Sequence, residues 1–418
     1  MRYFIPFVSM FILFASPAKI LAAEVDFHGY ARAGLGFSTK GGGQVCFGLS
    51  SADSKYRLGN ECDYVIEPTW IAHLVKIGDN LGWGKGSDWG VVVMPKVYKA
   101  WQQNSSQATF DDLAATIGQL YFFADQIPEL ANGQLWVGRR YYDRLQLGIN
   151  DQFIENEDGD GAGLENIQIG NVRLSLALLL NPNDYGAQNI KPYKITSRIV
   201  IPTLPNSDAQ IWLGLYSRSV TNDASSGPNP ERIYAGADQY RIGIYNRLYI
   251  ETIRGTNTAG IKTELSKVHQ LWRAFIQQTF TFNVMQTSLD LFSEYRSRKN
   301  RGNEHESWGD PQKWFSIGAR TDSHIYGPFR LLAEFGHDQT MQDNSATQQL
   351  DKFTVATAIN AGNDASSRPT IRLFYTYAHW NDAAHNAGGV YDSGVMISQI
   401  YGNSTSGSTF GIQGEAWW

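Results

Sequence analysis

Polar side chains recur at every second position near the start of the chain: Asp26, His28, Tyr30 and Arg32. The alternating positions of the range 25–37 are apolar or small. Successive side chains of a β-strand point to opposite faces, so this spacing predicts a strand with one polar and one apolar face. A carboxylate, a phenol and a guanidinium can bind polar solutes on one face, while the other face suits lipid. The segment therefore predicts the first strand of a membrane barrel.

Similar alternation recurs along the chain to its last residues. It is found in Ile211–Arg218, Arg241–Ile250, Ile371–Tyr377 and Phe410–Trp418. In the last segment, Phe410, Ile412, Ala416 and Trp418 share the apolar face, so Trp417 points to the lumen. No amphipathic helix of useful length and no domain boundary are apparent. We predict an all-β fold, a transmembrane antiparallel barrel.

Connections of two lengths separate these strands, as in outer-membrane barrels with short turns at one end and longer loops at the other. Asn181–Asp184 and Leu204–Ser207 are predicted tight turns, whereas Thr221–Arg232, Ser297–Pro311 and Asn381–Ser393 are predicted long loops. At about 10 residues per strand, the chain accommodates roughly 16 to 18 strands.

The first 23 residues have the pattern of a secretory signal peptide. Arg2 precedes the apolar run Phe4–Ala15, and the small residues Ala22 and Ala23 follow. The alternative, a membrane anchor, needs a span of about 20 apolar residues, which this run does not reach. We therefore expect a signal peptide at 1–23 and a single barrel domain at 24–418.

Composition excludes several classes of protein. Hydrophobic residues make up 42% and aromatic residues 13% of the chain, which excludes disorder. Mean hydropathy is nevertheless −0.32, as expected when only every second strand residue faces lipid. A soluble secreted β protein would have a similar composition. The net charge of −5 provides no basic excess for nucleic acid, so no nucleic-acid partner is expected.

The two cysteines, Cys46 and Cys62, are close in sequence. In an exported chain this favours a disulfide bond. The alternative, a metal site, has no supporting histidine pair. We expect a disulfide, no bound metal and no cofactor.

Two other readings of the sequence have little support. Asn156–Gly161 is acidic, but an EF-hand loop would need Asp at its first and Glu at its twelfth position, where Asn156 and Ile167 stand. An outer-membrane hydrolase would need convergent nucleophile and base, but neither Gly-x-Ser-x-Gly nor His-Glu-x-x-His occurs. We expect a non-enzymatic protein; a structural or adhesive surface barrel is a further alternative that ion conductance would distinguish.

Long ordered motifs identify a family resemblance that covers most of the chain. The matching segments are Val25–Arg32, Ser54–Cys62, Gly161–Asn166, Ser367–Pro369 with Ile371–Arg372, and Trp417–Trp418. In these the chain resembles the maltoporins, or sugar porins. The resemblance implies an 18-stranded homotrimeric barrel in the Gram-negative outer membrane, surrounded by lipid. It also implies an inward-folded constriction loop and an aromatic path, the greasy slide, opposite charged residues that bind oligosaccharides.

The resemblance assigns candidate residues position by position. Tyr30 and Trp417 match aromatics of the slide. The polar positions along the sugar path are Arg32, Arg57, Glu67, Arg144 and Asp151. At the constriction, Gln146 replaces a usual acid and Phe153 replaces a usual tyrosine.

Several aromatic positions of the family are lost. Val65 and Ser366 replace two of them. The tryptophan that reaches a neighbouring subunit aligns roughly with Ser106, and Trp101 could substitute for it. A different aromatic path could use Trp212, Tyr245 and Tyr249. The predicted function is facilitated diffusion of sugars. A general diffusion porin with little sugar selectivity is the alternative.

Overall fold

The computed structural model describes the residues 24–78, 83–100, 114–180, 190–204, 207–220, 239–250, 255–266, 269–301, 307–387, 391–392 and 395–418. The expected signal peptide lies outside these residues, and its assignment stays a prediction. Among the helices of the described residues, none is long and apolar enough to cross a membrane.

The described chain is almost entirely β-structure. The strands are β1 (Glu24–Ser38), β2 (Asp63–Lys76), β3 (Asp88–Ala100), β4 (Ala114–Ile127), β5 (Gly133–Arg140), β6 (Leu145–Leu147), β7 (Gln152–Glu155), β8 (Gly159–Ile169), β9 (Val172–Leu180), β10 (Ile190–Leu204), β11 (Ser207–Val220), β12 (Gln239–Ile250), β13 (Gly255–Ser266), β14 (His269–Phe282), β15 (Thr287–Asn300), β16 (Gln312–Tyr326), β17 (Phe329–Gln342), β18 (Gln348–Asn360), β19 (Thr370–Trp380), β20 (Tyr391–Asp392), β21 (Val395–Met396) and β22 (Ser406–Trp417). The short helices are Pro128–Leu130 and Val284–Gln286, both 3₁₀, and the α-helices Asp382–Asn386 and Ser398–Tyr401.

Eighteen of the described strands form one antiparallel sheet that closes on itself. The first strand, β1, pairs with β2 on one side and with the last strand, β22, on the other. Tyr30 therefore has Glu67 as its partner on β2 and Trp417 as its partner on β22. Closure pairs the backbone groups of every strand, as a barrel in lipid requires. The predicted strand count of the family is confirmed.

The two faces of β1 and β22 have the predicted polarity. Phe27, Leu35 and Phe410 are about half exposed on the outer face, whereas Arg32 and Glu415 are buried on the inner face. Rings on the outer face also contact one another: the Phe27 ring centroid lies 5.5 Å from that of Trp418. Such outward aromatics suit the lipid–water boundary of a bilayer.

Connections of different length lie at the two ends of the barrel. At one end, residues 170–171 join β8 to β9, and 327–328 join β16 to β17. At the other end, residues 39–62 and 141–158 form long loops.

Leu204 and Ser207, the ends of one predicted turn, are partners across β10 and β11, and the two residues between them lie outside the described residues. The predicted turn at 181–184 and the predicted loop at 221–232 lie outside the described residues. The predicted loop at 297–311 begins too early, because β15 continues to Asn300, but it ends directly before β16 as predicted. The predicted loop at 381–393 begins directly after β19 as predicted, and it contains the short helix Asp382–Asn386 and the strand β20.

Cys46 and Cys62 form the predicted disulfide. Their Cα atoms are 6.0 Å apart, and both residues are buried in the loop that connects β1 to β2. The bond closes a loop of 16 residues.

Replacing both Cys46 and Cys62 with serine should lower the free energy of unfolding by about 3 kcal/mol, because the cross-link restricts the unfolded chain. Guanidinium unfolding in detergent, followed by tryptophan fluorescence, measures this change. Wild-type protein treated with reductant is the control and should show the same loss. An unchanged unfolding midpoint in both samples would contradict the expectation.

Candidate functional site

The loop between β5 and β8, residues 141–158, folds into the barrel as predicted. Its short hairpin, β6 and β7, places Leu147, Ile149 and Ile154 against Phe275 and Phe292 of the wall. All five side chains are buried. Burying each aliphatic side chain contributes about 1.5–3 kcal/mol, so apolar contacts hold this loop inside the barrel.

Ion pairs reinforce the same loop from the wall. The pairs join Lys194 to Glu157 at 2.8 Å, Lys262 to Glu155 at 3.7 Å, and Arg198 to Asp143. The three carboxylates are buried, and a buried carboxylate is costly unless it is paired. Detaching the loop from the wall would therefore leave uncompensated charges.

The loop between β1 and β2, residues 39–62, also enters the lumen, which the sequence did not predict; it precedes the 141–158 loop in the chain and is called the first inward loop. Its Tyr56 ring lies over Gly318 and Gly336, which are partners across β16 and β17. A Cβ atom at Gly336 would lie only 1.9 Å from the Tyr56 ring. The Tyr56 hydroxyl is 2.9 Å from Ser316 Oγ. The paired glycines thus form a slot that fits this tyrosine.

The two inward loops also contact each other. The Arg57 amide donates to the Ile149 carbonyl at 3.2 Å, and Asn150 Nδ2 donates to Ser54 Oγ at 3.0 Å. The wall holds the first loop as well, since Lys352 Nζ donates to the Leu58 carbonyl at 2.7 Å. The constriction is therefore built from two mutually supporting loops.

Tyr30, Arg32 and Arg57 form one hydrogen-bonded network. Both guanidinium groups donate to the Tyr30 hydroxyl, at 2.9 Å from Arg32 and 2.8 Å from Arg57. Both also pair with Glu61, and Arg32 Nε donates to Asp63 at 2.9 Å. Arg32 is only 7% exposed, so its hydrogen-bond donors are engaged by these protein partners.

Neighbouring carboxylates keep Arg57, the loop arginine of this network, in its charged form. Burial alone would lower the pKa of Arg57, but the carboxylates of Glu61 and Glu415 raise it well above its usual value. Burial raises the pKa of Glu61, while Arg57 and Arg32 counteract that effect. Charged hydrogen bonds of this kind are stronger than neutral ones and fix the side chains in place.

Glu415 on β22 connects this network to the next group of arginines. It accepts from Tyr30 at 2.9 Å and from Arg57 through one oxygen. Its other oxygen accepts from Arg372 at 2.7 Å and from Arg368 at 3.3 Å. Glu415 was not predicted from the sequence as a site residue, although it lies two residues from Trp417 and therefore on the same face.

Trp417 faces the lumen as predicted and is 42% exposed. The Arg368 guanidinium carbon lies 3.6 Å from the centroid of its ring, a cation–π contact. Arg368 belongs to the connection between β18 and β19. One face of the indole is therefore covered by a cation.

A second cluster joins Glu67 to the inward loop. Glu67 accepts from the Tyr141 hydroxyl and pairs with Lys96, both at 3.1 Å. The Arg144 guanidinium lies 3.3 Å from the Tyr141 ring centroid and 5.1 Å from that of Phe153. Burial would lower the pKa of Arg144, but its hydrogen bonds to Asp158 raise it.

Gln146 and Asp151 meet near the tip of the inward loop. The Gln146 amide donates to the Asp151 carboxylate. Asp151 has φ 55°, a left-handed conformation that Asp tolerates in turns. The predicted polar positions thus form three groups: the network at Tyr30, the cluster at Glu67, and this pair.

The structure corrects one predicted aromatic and leaves others untested. Trp212 is 2% exposed and packs behind the inward loop, so it belongs to the core rather than to an open path. Its inward orientation was predicted correctly, but the loop that covers it was not. The side chains of Tyr245 and Tyr249 lie outside the described residues, as do Trp101 and Ser106.

Basic side chains neutralise the acidic segment 156–161, where Glu157 pairs with Lys194. Asp158 pairs with Arg144, and Asp160 accepts from Arg139 Nε at 2.7 Å. Within the described part of the chain, no group of three or more His, Cys, Asp or Glu side chains could hold a metal ion.

A closed antiparallel barrel with an apolar outer face and a charged, loop-narrowed lumen defines a porin, a diffusion channel of the Gram-negative outer membrane. The profile of the LamB porin family matches residues 25–418. The chain belongs to the LamB porin family.

Solved structures show the same fold at low identity. OccAB1 of Acinetobacter baumannii is 10% identical, with 96% of this chain and 99% of that chain covered and a TM-score of 0.51. OccAB2 of the same organism is 8% identical, with 94% and 98% covered and a TM-score of 0.51. The outer membrane protein opdK of Pseudomonas aeruginosa is 8% identical, with 94% and 99% covered and a TM-score of 0.50.

The glycine slot yields a prediction about pore width. Gly336→Ala should displace Tyr56, because overpacking a fitted contact costs about 1–3 kcal/mol. The first inward loop then shifts and the single-channel conductance rises. Gly43→Ala is the matched control, since a Cβ atom there meets nothing within 4 Å. Equal conductance of Gly336→Ala, Gly43→Ala and wild type in planar bilayers would contradict the docking of Tyr56.

Proposed function

We propose that this porin carries sugars, namely maltodextrin-like or related oligosaccharides, by facilitated diffusion. The observation that supports this most directly is the lateral pairing of Tyr30 with Trp417 beside the Arg57 network. An aromatic surface next to charged hydrogen-bonding groups matches the two chemical faces of a pyranose ring. Its C–H faces stack on aromatic rings, and its hydroxyl rim binds charged partners.

Individual contacts along such a path should be weak. Conduction requires binding that is favourable enough for entry but divided over several sites, so that the solute also leaves. In this proposal Tyr30 and Trp417 stack on the sugar ring, while Arg57, Glu67, Arg144 and Asp151 bind hydroxyl groups. Arg32 is nearly buried and holds the Tyr30 hydroxyl in position.

The constriction should bind maltodextrins less tightly than in a typical maltoporin. Phe153 has no hydroxyl group to donate, and Gln146 is uncharged and engaged with Asp151. The Phe153 ring is also close to Arg144. These features favour a less charged narrow point that admits differently shaped sugars.

A general diffusion porin is a second candidate function. It is favoured by the cation over Trp417 and by the absence of rings at Val65 and Ser366. Both features reduce the continuous aromatic surface that a sugar could follow. Saturable block of ion current by sugar separates the two candidates.

Trp417→Ala should weaken the block of ion current by maltotriose by about 1 kcal/mol, the scale of one aromatic stacking contact. Trp70→Ala is the matched control, because Trp70 is an exposed outer-face residue that contacts Phe27. Titration of the current in planar bilayers measures both. If maltotriose blocks none of the proteins, the general porin is the correct function.

We further propose that the protein is a homotrimer. The outer wall at β1 and β22 carries the small residues Ala31, Ala33, Gly414 and Ala416 along an apolar groove of about 600 Å³. Small residues let neighbouring backbones approach closely in a membrane.

Unheated protein from outer-membrane extracts should migrate on gels as a trimer and convert to monomer on boiling. Ala33→Trp fills the groove with a large side chain and should shift unheated protein toward monomer. Leu35→Trp on the same face is the control. A monomeric unheated wild-type protein, checked by light scattering in detergent, would refute the trimer.

A further inference from the structure

The lumen contains an uneven arrangement of charges beside Trp417. Arg57, Arg368 and Arg372 all bind the single carboxylate of Glu415. Arg57 has a second acidic partner in Glu61. Among the described residues, Glu415 is the carboxylate within ion-pair distance of Arg368 and Arg372. Three arginines therefore share one carboxylate at this end of the network.

The position of Arg368 makes this sharing costly. Burial, reinforced by the neighbouring Arg372, lowers the pKa of Arg368 to about 10, although the carboxylates of Glu415 and Asp322 oppose the shift. Its Nε atom is buried without a hydrogen-bond acceptor. Since an arginine side chain stays charged in proteins, the lowered pKa expresses unfavourable energy that a nearby anion would relieve.

A cavity of about 260 Å³ opens at these arginines. The small side chains of Ala365 and Ser366 border it together with Trp417. Asp290 and Asp322 line another part of the same cavity. Asp322 pairs with Arg330, and Asp290 accepts from the Thr279 hydroxyl. The cavity thus combines cations at Arg368 and Arg372 with carboxylates that can accept hydrogen bonds, and its whole lining contains four arginines and four carboxylates.

We infer that this cavity binds a sugar that carries an anionic group, such as a hexuronate. The anion would lie at Arg368 and Arg372, and the ring hydroxyls would donate to Asp290 and Asp322. The Arg368 guanidinium covers one indole face of Trp417 at 3.6 Å. A sugar ring in the cavity therefore contacts Arg368 rather than that face. This inference rests on the proposed sugar function and names the substrate class for it.

Glucose and glucuronate differ only by oxidation at C6 and form a matched pair of probes. Titrations of ion current in planar bilayers, at constant ionic strength, should show block by glucuronate about tenfold tighter than by glucose, the scale of one charge-assisted contact. Glucose 6-phosphate in a parallel titration distinguishes a phosphate from a carboxylate preference. Sodium acetate controls for the anion alone and should not block.

Arg368→Gln should reduce the glucuronate preference to less than about twofold, because it removes one of the two arginines that would bind the anion. It should also shift the reversal potential in a salt gradient toward cation selectivity. Arg139→Gln is the control, since Arg139 pairs with Asp160 away from the cavity. The wild-type comparison of sugars needs no variant and decides the matter even if Arg368→Gln folds poorly.

Maltotriose in the same membranes tests the proposed function separately. Block by maltotriose without any preference for glucuronate or glucose 6-phosphate over glucose would overturn this inference and leave the sugar function standing. Block by an anionic sugar but not by maltotriose would support the inference and narrow the substrates to anionic sugars. Absence of block by all sugars would overturn both.

Discussion

Every backbone N–H and C=O group of the membrane-spanning strands must find a partner inside the bilayer, and the closed sheet provides it. The decisive pairing joins β1 to β22, because it closes the barrel and sets the register of both strands. That register places Tyr30 between Glu67 and Trp417. A slip of one residue would turn Arg32 toward lipid and Phe27 toward the lumen. Barrel closure and the position of the polar network therefore depend on the same hydrogen bonds.

The lumen gains its shape from two loops that bind the wall and each other. Apolar contacts at Leu147 and Ile149 and the slot for Tyr56 hold the loops in place. Docking then brings Arg57 and Glu61 from the first loop to Tyr30 and Glu415 on the wall. Each of these charges is buried or half-buried, so each depends on the others for compensation. A rigid, charged passage is the physical result.

Period-two alternation was enough to predict the barrel, the inward Tyr30 and Trp417, and the outward Phe410. The same alternation could have identified Glu415, which shares the face of Trp417. It could not reveal Glu61 or the docking of Tyr56, because loop residues have no fixed periodicity and their partners are distant in sequence. Gly318 and Gly336 gain their meaning only when β16 and β17 are paired. For Trp212, the alternation predicted that the side chain faces the lumen, but it could not predict the inward loop that buries it.

The central claim is that sugars pass along the surface formed by Tyr30, Trp417 and the arginine network. Structure determination of the detergent-solubilised protein with bound maltotriose tests it most directly. The account predicts a pyranose ring against Tyr30 or Trp417, with hydroxyl groups within about 3 Å of the Arg57 guanidinium. Sugar density confined to the outer loops, or an empty lumen at saturating maltotriose, would contradict it.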